Sequence, residues 1–312
     1  MGDTMPRLTH IAFACAAALV AIAPAAAKPP LEAFGEFPEV PSMQLSPDGE
    51  CVAYLLRRGE VEQLMVIDLK TKKQKALATV TDFKAQGISF AGPNHVLLHA
   101  SVTRRNVYYL TDKFEHTGAF AVNLETKKAV RLLRRANSLH PAQTGLGIVD
   151  GMDPGGKHIF MPAYIGELRD PTYNLLRVNL DTGDGASAGR KEGSSTTRDW
   201  IVNGRRQVVA REDWSDRTNR YSIRAYDGDT SREIFSRDEP RRVFNLLGLS
   251  VDEKSLIVAD MNGSEFYNLF EMSLADGSLK GPVLKRTDAD VESVITGRDN
   301  IVRGVRYAGM VP

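Results

Sequence analysis

Cysteine, charge imbalance and long apolar runs are what this sequence has least of. Two cysteines stand in 312 residues, Cys15 and Cys51. Cys15 lies in a leader-like segment, which leaves Cys51 alone and excludes an internal disulfide framework. Cys51 opens an apolar run, where a buried structural thiol is expected rather than a nucleophile. The formal net charge of +1, from 40 basic and 39 acidic residues, supplies no field for nucleic acid or an anionic membrane. The one long apolar run, residues 11–22, falls short of the roughly 20 residues a membrane-spanning helix needs. Apolar spacing at i, i+3, i+4 and i+7 is scarce as well. Most apolar positions alternate, which excludes a fold of long amphipathic helices.

The short apolar run has an address to give. Arg7 and His10 precede it, and Pro24-Ala25-Ala26-Ala27 follows with small residues at Ala25 and Ala27. This is the pattern of a secretory signal peptide, residues 1–27, with cleavage expected after Ala27. The mature chain is then periplasmic or secreted. Residues 28–41 are a lead-in, and residues 42–312 form the main domain.

What is present is a repeat. Residues 42–77 read SMQLSPDGECVAYLLRRGEVEQLMVIDLKTKKQKAL. Short apolar runs alternate with the turns Pro47-Asp48-Gly49, Arg57 to Glu62, and Lys70-Thr71-Lys72-Lys73. Runs of four to eight Val-, Ile-, Leu- and Tyr-rich residues bounded by such turns are strands, so the unit is a four-stranded antiparallel meander. A second unit begins near Gly87, with an insert expected over residues 101–118. Its AVNLETKKAVRLL matches VIDLKTKKQKAL of the first. Further first turns fall at Asp153-Pro154-Gly155, Asn203-Gly204, Ser250 to Lys254 and Gly297 to Asn300. Asn262-Gly263 adds a hairpin signal in the fifth unit. A period of about 40 to 50 residues is that of a propeller blade. One blade cannot bury both its faces, and neighbours stacked round an axis do so for each other. The expected fold is an all-β propeller of five four-stranded blades plus a partial sixth. That sixth blade stops two strands in, at Val311-Pro312, and leaves an edge open to closure by residues 31–37, to oligomerisation, or to a missing continuation.

The Leu45-Ser46-Pro47-Asp48-Gly49 turn, with recurring Asp-Leu-x-Thr-Gly/Lys hairpins, resembles the N-terminal propeller of the prolyl oligopeptidase family. Its dipeptidyl aminopeptidase and acylaminoacyl-peptidase branch is closest in style, and residues 31–38 after a leader are similar to exported members. The resemblance covers nearly all of the mature chain, and TolB-type propellers share the Ser-Pro-Asp-Gly turn. It implies a lid and filter for peptide over an α/β-hydrolase domain that carries a Ser-Asp-His triad. That domain is absent from these residues, and no catalytic residue is assigned. The alternative is a freestanding TolB-like periplasmic propeller that binds a protein partner. A lactonase-like propeller enzyme is the weakest reading, because no cluster of metal ligands converges.

Other candidates are weighed against plainer readings. Gly87-Ile88-Ser89-Phe90-Ala91 has the spacing of a nucleophile elbow but lies in a strand, with Gly92-Pro93-Asn94 barring a following helix. Arg211-Glu212-Asp213-Trp214 is the nearest string to an amine-binding acidic pair, and a solvated blade edge is expected for it. His95 and His99 have zinc-helix spacing but sit in a strand, roughly 13 Å apart. Asp181 to Asp184 and Asp227-Gly228-Asp229 resemble calcium-loop fragments and read as hairpin turns. Arg104-Arg105, Arg134-Arg135, Arg205-Arg206 and Arg241-Arg242 read as solvated edges, and Trp200 and Trp214 as packing between sheets. Asn262-Gly263-Ser264 fits a glycosylation sequon, relevant only in a eukaryotic secretory route. No cofactor and no metal are expected.

Overall fold

The computed structural model describes residues 35, 37–105, 108, 113–136, 138–152, 156–169, 171–187, 194, 196–205, 207–228, 230–238, 240, 244–297 and 299–309. Residues 39–312 form one compact unit, and residues up to 38 belong to another. The expected leader, most of residues 31–37, Asp153 to Gly155, Arg206, Asp229, Arg241, Arg242, Val311 and Pro312 lie outside the described residues.

The described residues form five four-stranded meanders and one two-stranded sheet. Blade A holds β1 (Met43–Leu45), β2 (Cys51–Arg58), β3 (Val61–Asp68) and β4 (Gln74–Val80). Blade B holds β5 (Lys84–Ala91), β6 (His95–Arg105), β7 (Lys113–Asn123) and β8 (Ala129–Arg131). Blade C holds β9 (Gly151–Met152), β10 (His158–Ile165), β11 (Thr172–Asn179) and β12 (Gly185–Ser187). Blade D holds β13 (Thr197–Val202), β14 (Val208–Ser215), β15 (Arg220–Asp227) and β16 (Thr230–Asp238). Blade E holds β17 (Asn245–Leu249), β18 (Ser255–Asp260), β19 (Asn268–Ser273) and β20 (Leu279–Leu284). Blade F holds β21 (Val291–Thr296) and β22 (Val302–Tyr307). This is the β-propeller that the repeat predicts.

The stacking explains the composition of the middle strands. Strand side chains alternate between faces, and here both faces are covered. On β6, Val96 and Leu98 pack against Leu55 and Leu64 of blade A, while Leu97 between them packs toward Ile159 and Leu176 of blade C. On β18, Leu256 and Val258 join the blade D cluster, while Ile257 and Ala259 join Val302 and Val305 of blade F. Phe160 and Leu175 of blade C meet Trp200 and Val208 of blade D. Trp200 therefore packs between sheets, as its sequence context predicts. An ion pair crosses from blade D to blade E, where Arg237 donates to the buried Asp260 at 2.8 Å.

Two turn devices repeat. Ser46 Oγ donates to Asp48 at 2.6 Å and accepts from the Cys51 N–H at 2.9 Å. Ser250 does the same with Asp252 at 2.7 Å and Ser255 at 3.0 Å. At the third hairpin, the Asn123 side chain accepts from the Glu125 and Thr126 N–H groups, and Asn179 accepts from Asp181 and Thr182. These are Asx turns, which hold the chain without help from a sheet ladder. Gly183 and Gly277 sit in the left-handed region at φ 75° and 73°. A Cβ at either would overlap the neighbouring blade's backbone carbonyl, at Arg131 and Ile234 respectively. Glycine there lets each turn seat against the preceding blade.

One expectation is corrected in shape. Within the insert expected over residues 101–118, the described residues 101–105 and 113–118 are strand. Strand alternation continues through Ser101, Val102 and Thr103, so β6 and β7 lengthen into one hairpin that pairs as far as Arg105 with Lys113. The Asn262-Gly263 signal does form a turn, with φ 41° and 80° and a Ser264 N–H to Met261 carbonyl bond of 2.7 Å.

Candidate functional site

The first strands of the blades converge. Asn300, in the β21–β22 turn at φ 58°, donates from Nδ2 to the carbonyls of Val202 at 2.7 Å and Asp150 at 3.2 Å. Its own carbonyl accepts from the Leu249 N–H at 2.8 Å. One residue thus ties blades C, D and E together, C and D through its side chain and E through its backbone. The inner strand of blade C is unusually short. β9 covers only Ile159 and Phe160 of β10. The other end of β10 is covered by residues 138–143: Leu139 bridges Ile165, His140 N–H donates to the Tyr164 carbonyl, and the Gln143 amide both donates to and accepts from the Tyr164 backbone.

Where the regular strand is missing, acidic groups gather. Asp150 directly precedes β9, and Asp199 stands on β13 at a register shift between Thr197 and Asp199. The Asp150 backbone is fixed by its N–H to the Phe160 carbonyl at 2.9 Å. Burial, and then the nearby Asp199 carboxylate, push the Asp150 carboxyl up to about 8. Desolvation and a like charge both disfavour the ionised form. Asp199 accepts from the Trp200 N–H at 2.7 Å. Tyr173 lies next to both, its phenol held protonated by burial, then by Asp150, Asp199 and Tyr164. The Tyr173 and Tyr164 rings meet at 4.8 Å. Beside Tyr164 opens a cavity of about 310 Å³, lined also by His140, Gln143, Thr144 and Pro171. His140 is buried, and its Nε2 has no hydrogen-bond partner. A carboxyl that burial keeps protonated, a second carboxyl and a phenol donor thus stand together, and the Tyr164 ring links this cluster to the cavity, which none of the three lines. The cluster suits a cationic or polar group.

The structure redistributes the residues that the sequence singles out. Ser89 and His99, considered separately there, meet: Ser89 Oγ lies 3.0 Å from His99 Nε2. Burial lowers the His99 imidazole below its usual value, against a hydrogen bond to the Gly147 backbone that raises it. A neutral ring bonded to Gly147 through its other nitrogen accepts from the Ser89 hydroxyl. Ser89 nonetheless sits mid-strand in β5, paired with Leu97, and not on a strand-to-helix elbow. His95 belongs elsewhere, with Asp181 of blade C at 2.9 Å and Asn123 at 3.3 Å. It joins two blades, and Asp181 serves this contact from its hairpin turn.

The expectation of a solvated edge at Glu212 and Asp213 is overturned. Glu212 is 0% exposed and Asp213 7%. Tyr221 donates its hydroxyl to Glu212 at 2.8 Å, and Thr197 and Arg211 donate to Asp213 at 2.7 and 2.8 Å. β14 is a middle strand with partners on both sides, so its polar side chains are enclosed and must be paired. Arg104, Arg105, Arg134, Arg135 and Arg205 are exposed as expected. Asp150, Asp199, Tyr173 and Asn300 are the residues that sequence reasoning misses. The one available signal is the long interval between the second hairpin turn and the third first turn, where the repeat is disturbed.

No family model matches this sequence, and no curated protein matches it. Solved structures do match in shape. TolB from Acinetobacter baumannii is 15% identical over 77% of this chain and 53% of its own, with a TM-score of 0.39. An acylaminoacyl peptidase from Pyrococcus horikoshii is 13% identical over 83% of this chain and 40% of its own, at 0.48. An oligogalacturonate lyase is 15% identical over 83% and 67%, at 0.49. The chain thus spans about half of that TolB and less than half of that peptidase. Likeness of this degree assigns no activity, and the fold rests on the sheets described above.

Proposed function

We propose that this chain is an exported peptide-binding propeller of the prolyl-oligopeptidase type, residues 42–312, that admits and orients peptide for a hydrolase domain outside these residues. The observation that carries the reading is the Asp150–Asp199 pair beside Tyr173. Burial first, and then the Asp199 charge, keep a proton on Asp150 until a cation arrives. A peptide ammonium or lysine side chain would neutralise the pair and displace that proton. Tyr173 and the unpartnered His140 nitrogen offer hydrogen bonds to the following peptide groups. Ser89 is a structural hydroxyl on this reading.

The test is binding of short peptides to the full chain, followed by titration calorimetry in two buffers of different ionisation enthalpy. Peptides with a free amino terminus should bind at pH 7 with net proton release, and Asp199→Asn should weaken them about tenfold, the loss of one charged hydrogen bond. Equal binding of N-acetylated peptides lacking lysine would refute the cation reading. A second reading, a freestanding partner-binding module, rests on blade F. β22 pairs with β21 on one side and, among the described residues, with no strand on the other. A partner strand, or a second copy, can add to such an edge. Capture of a folded envelope protein with no affinity for peptides would favour it.

A further inference from the structure

Blade B carries a second cavity, which neither Asp150 nor Asp199 lines. Ala100 and Gly118 stand opposite each other in the β6–β7 register. A Cβ on Gly118 would meet nothing within 4 Å. The missing side chain leaves an open cavity of about 150 Å³ between blade B and the connection at Asp82 and Phe83. Phe83 and Phe120 stack at its side, with centroids 4.7 Å apart and planes inclined by 10°. Arg104, Arg131 and His116 line it too. Neither guanidinium has a hydrogen bond or ion pair with a described residue. The His116 Nε2 is buried without a hydrogen-bond partner, a costly state that calls for one. Glu115, the adjacent acid, points to the other face of the hairpin and is taken by Ser101, Thr103 and Lys84. Asp82 is the one carboxylate on the rim.

An apolar space of this size takes one benzene-sized ring. Aromatic walls favour a stacked or tilted ring, and guanidinium groups take a carboxylate through paired N–H donors. We propose that this pocket binds a small aromatic carboxylate. The ring lies against Phe83 and Phe120, and the carboxylate reaches Arg104, Arg131 and His116. Free aromatic acids and the C-terminal residue of a peptide share this chemistry.

The experiment is an NMR titration of the full chain with phenylacetate, phenylacetamide and N-acetyl-phenylalanine. Saturable shifts at Gly118 and Phe120 are expected with phenylacetate, and about tenfold weaker binding with the uncharged amide. N-acetyl-phenylalanine binding more tightly than phenylacetate would identify a peptide end as the source, and the reverse order a free acid. Arg104→Gln and Arg131→Gln, both exposed, should each weaken phenylacetate about tenfold. Asp82→Asn should tighten it, and Gly118→Val should abolish it. If Gly118→Val fails to fold, the arginine variants decide. The proposal is overturned by absence of saturable binding, by equal affinity for the amide, or by arginine variants that bind as well as the parent.

Discussion

Blades A and E differ from the junction of blades C and D in how they use the same repeat. In A and E the first strand pairs over three residues or more, Met43–Leu45 and Asn245–Leu249, and the serine–aspartate turn that follows is the same device twice, Ser46 with Asp48 and Ser250 with Asp252. At the C–D junction β9 shrinks to two residues and β13 is irregular. Backbone groups there are satisfied by side chains, with Gln143 on Tyr164 and Asn300 on Asp150 and Val202. Asp150 and Asp199 stand at this broken pairing, one directly before the short β9 and the other at the register shift of β13. A smaller contrast makes the same point at Asn300. Asp299, directly before it, is pulled down to about 2 by Arg303, while the carboxyl of Asp150, whose backbone carbonyl accepts from Asn300, is pushed up to about 8. A partnered carboxylate is structural; an unrelieved one is available for a ligand.

The contrast can be broken first at the blade contacts. Gly277→Val places a side chain in the Ile234 carbonyl and should destabilise the chain by about 3 kcal/mol or more. Gly228→Ala, also at positive φ but with nothing within 4 Å, should cost only about 1 kcal/mol. Urea unfolding of the two variants compares them. Equal losses would mean that φ alone, not blade docking, selects glycine.

The next effect is pH dependence at the junction. The unfolded Asp150 loses its proton near 3.9, whereas the folded one keeps it to about 8. Between those values the folded state binds the extra proton, so stability falls as pH rises and levels off above 8. The full window would correspond to about 6 kcal/mol. Partial exposure reduces this to on the order of 2 kcal/mol. Asp150→Asn should therefore raise thermal stability at pH 8.5 and leave it nearly unchanged at pH 4. A variant that destabilises equally at both would show that the carboxyl serves packing alone.

The smallest effect lies in the regular blades. Ser46→Ala and Ser250→Ala should each cost about 1 kcal/mol, and by nearly the same amount, because each removes the same pair of hydrogen bonds. A large difference between them would mean that the two turns are not equivalent. As a check on chemistry, a fluorophosphonate probe should leave Ser89 unlabelled. Labelling that disappears in His99→Ala would convert the Ser89–His99 contact into a nucleophile pair.

The blades were readable because each turn spells out its own geometry. Ser-Pro-Asp-Gly and Asp-Leu-x-Thr carry side chains that bond within three to five residues, so a local window contains the whole interaction. Unbroken apolar runs on β6 and β18, VLL and LIVA, likewise fit strands buried on both faces. The acid pair was not readable. Asp150 and Asp199 come from different blades, and each is followed by ordinary strand residues. Glu212 was misread for a related reason: a charged string in a sequence does not reveal that its strand lies in the middle of a sheet. Nor does a glycine at 118, unremarkable in the alternation of β7, announce that the space beside it stays empty.

The most direct test of the central claim is the titration of the Asp150 carboxyl by carbon NMR, in the parent chain and in Asp199→Asn. The expected midpoint is about 8 in the parent. It should be lower in the variant but still well above the ordinary carboxylate range, since burial is the larger cause. A parent midpoint near 4, or no response to Asp199→Asn, would contradict the account.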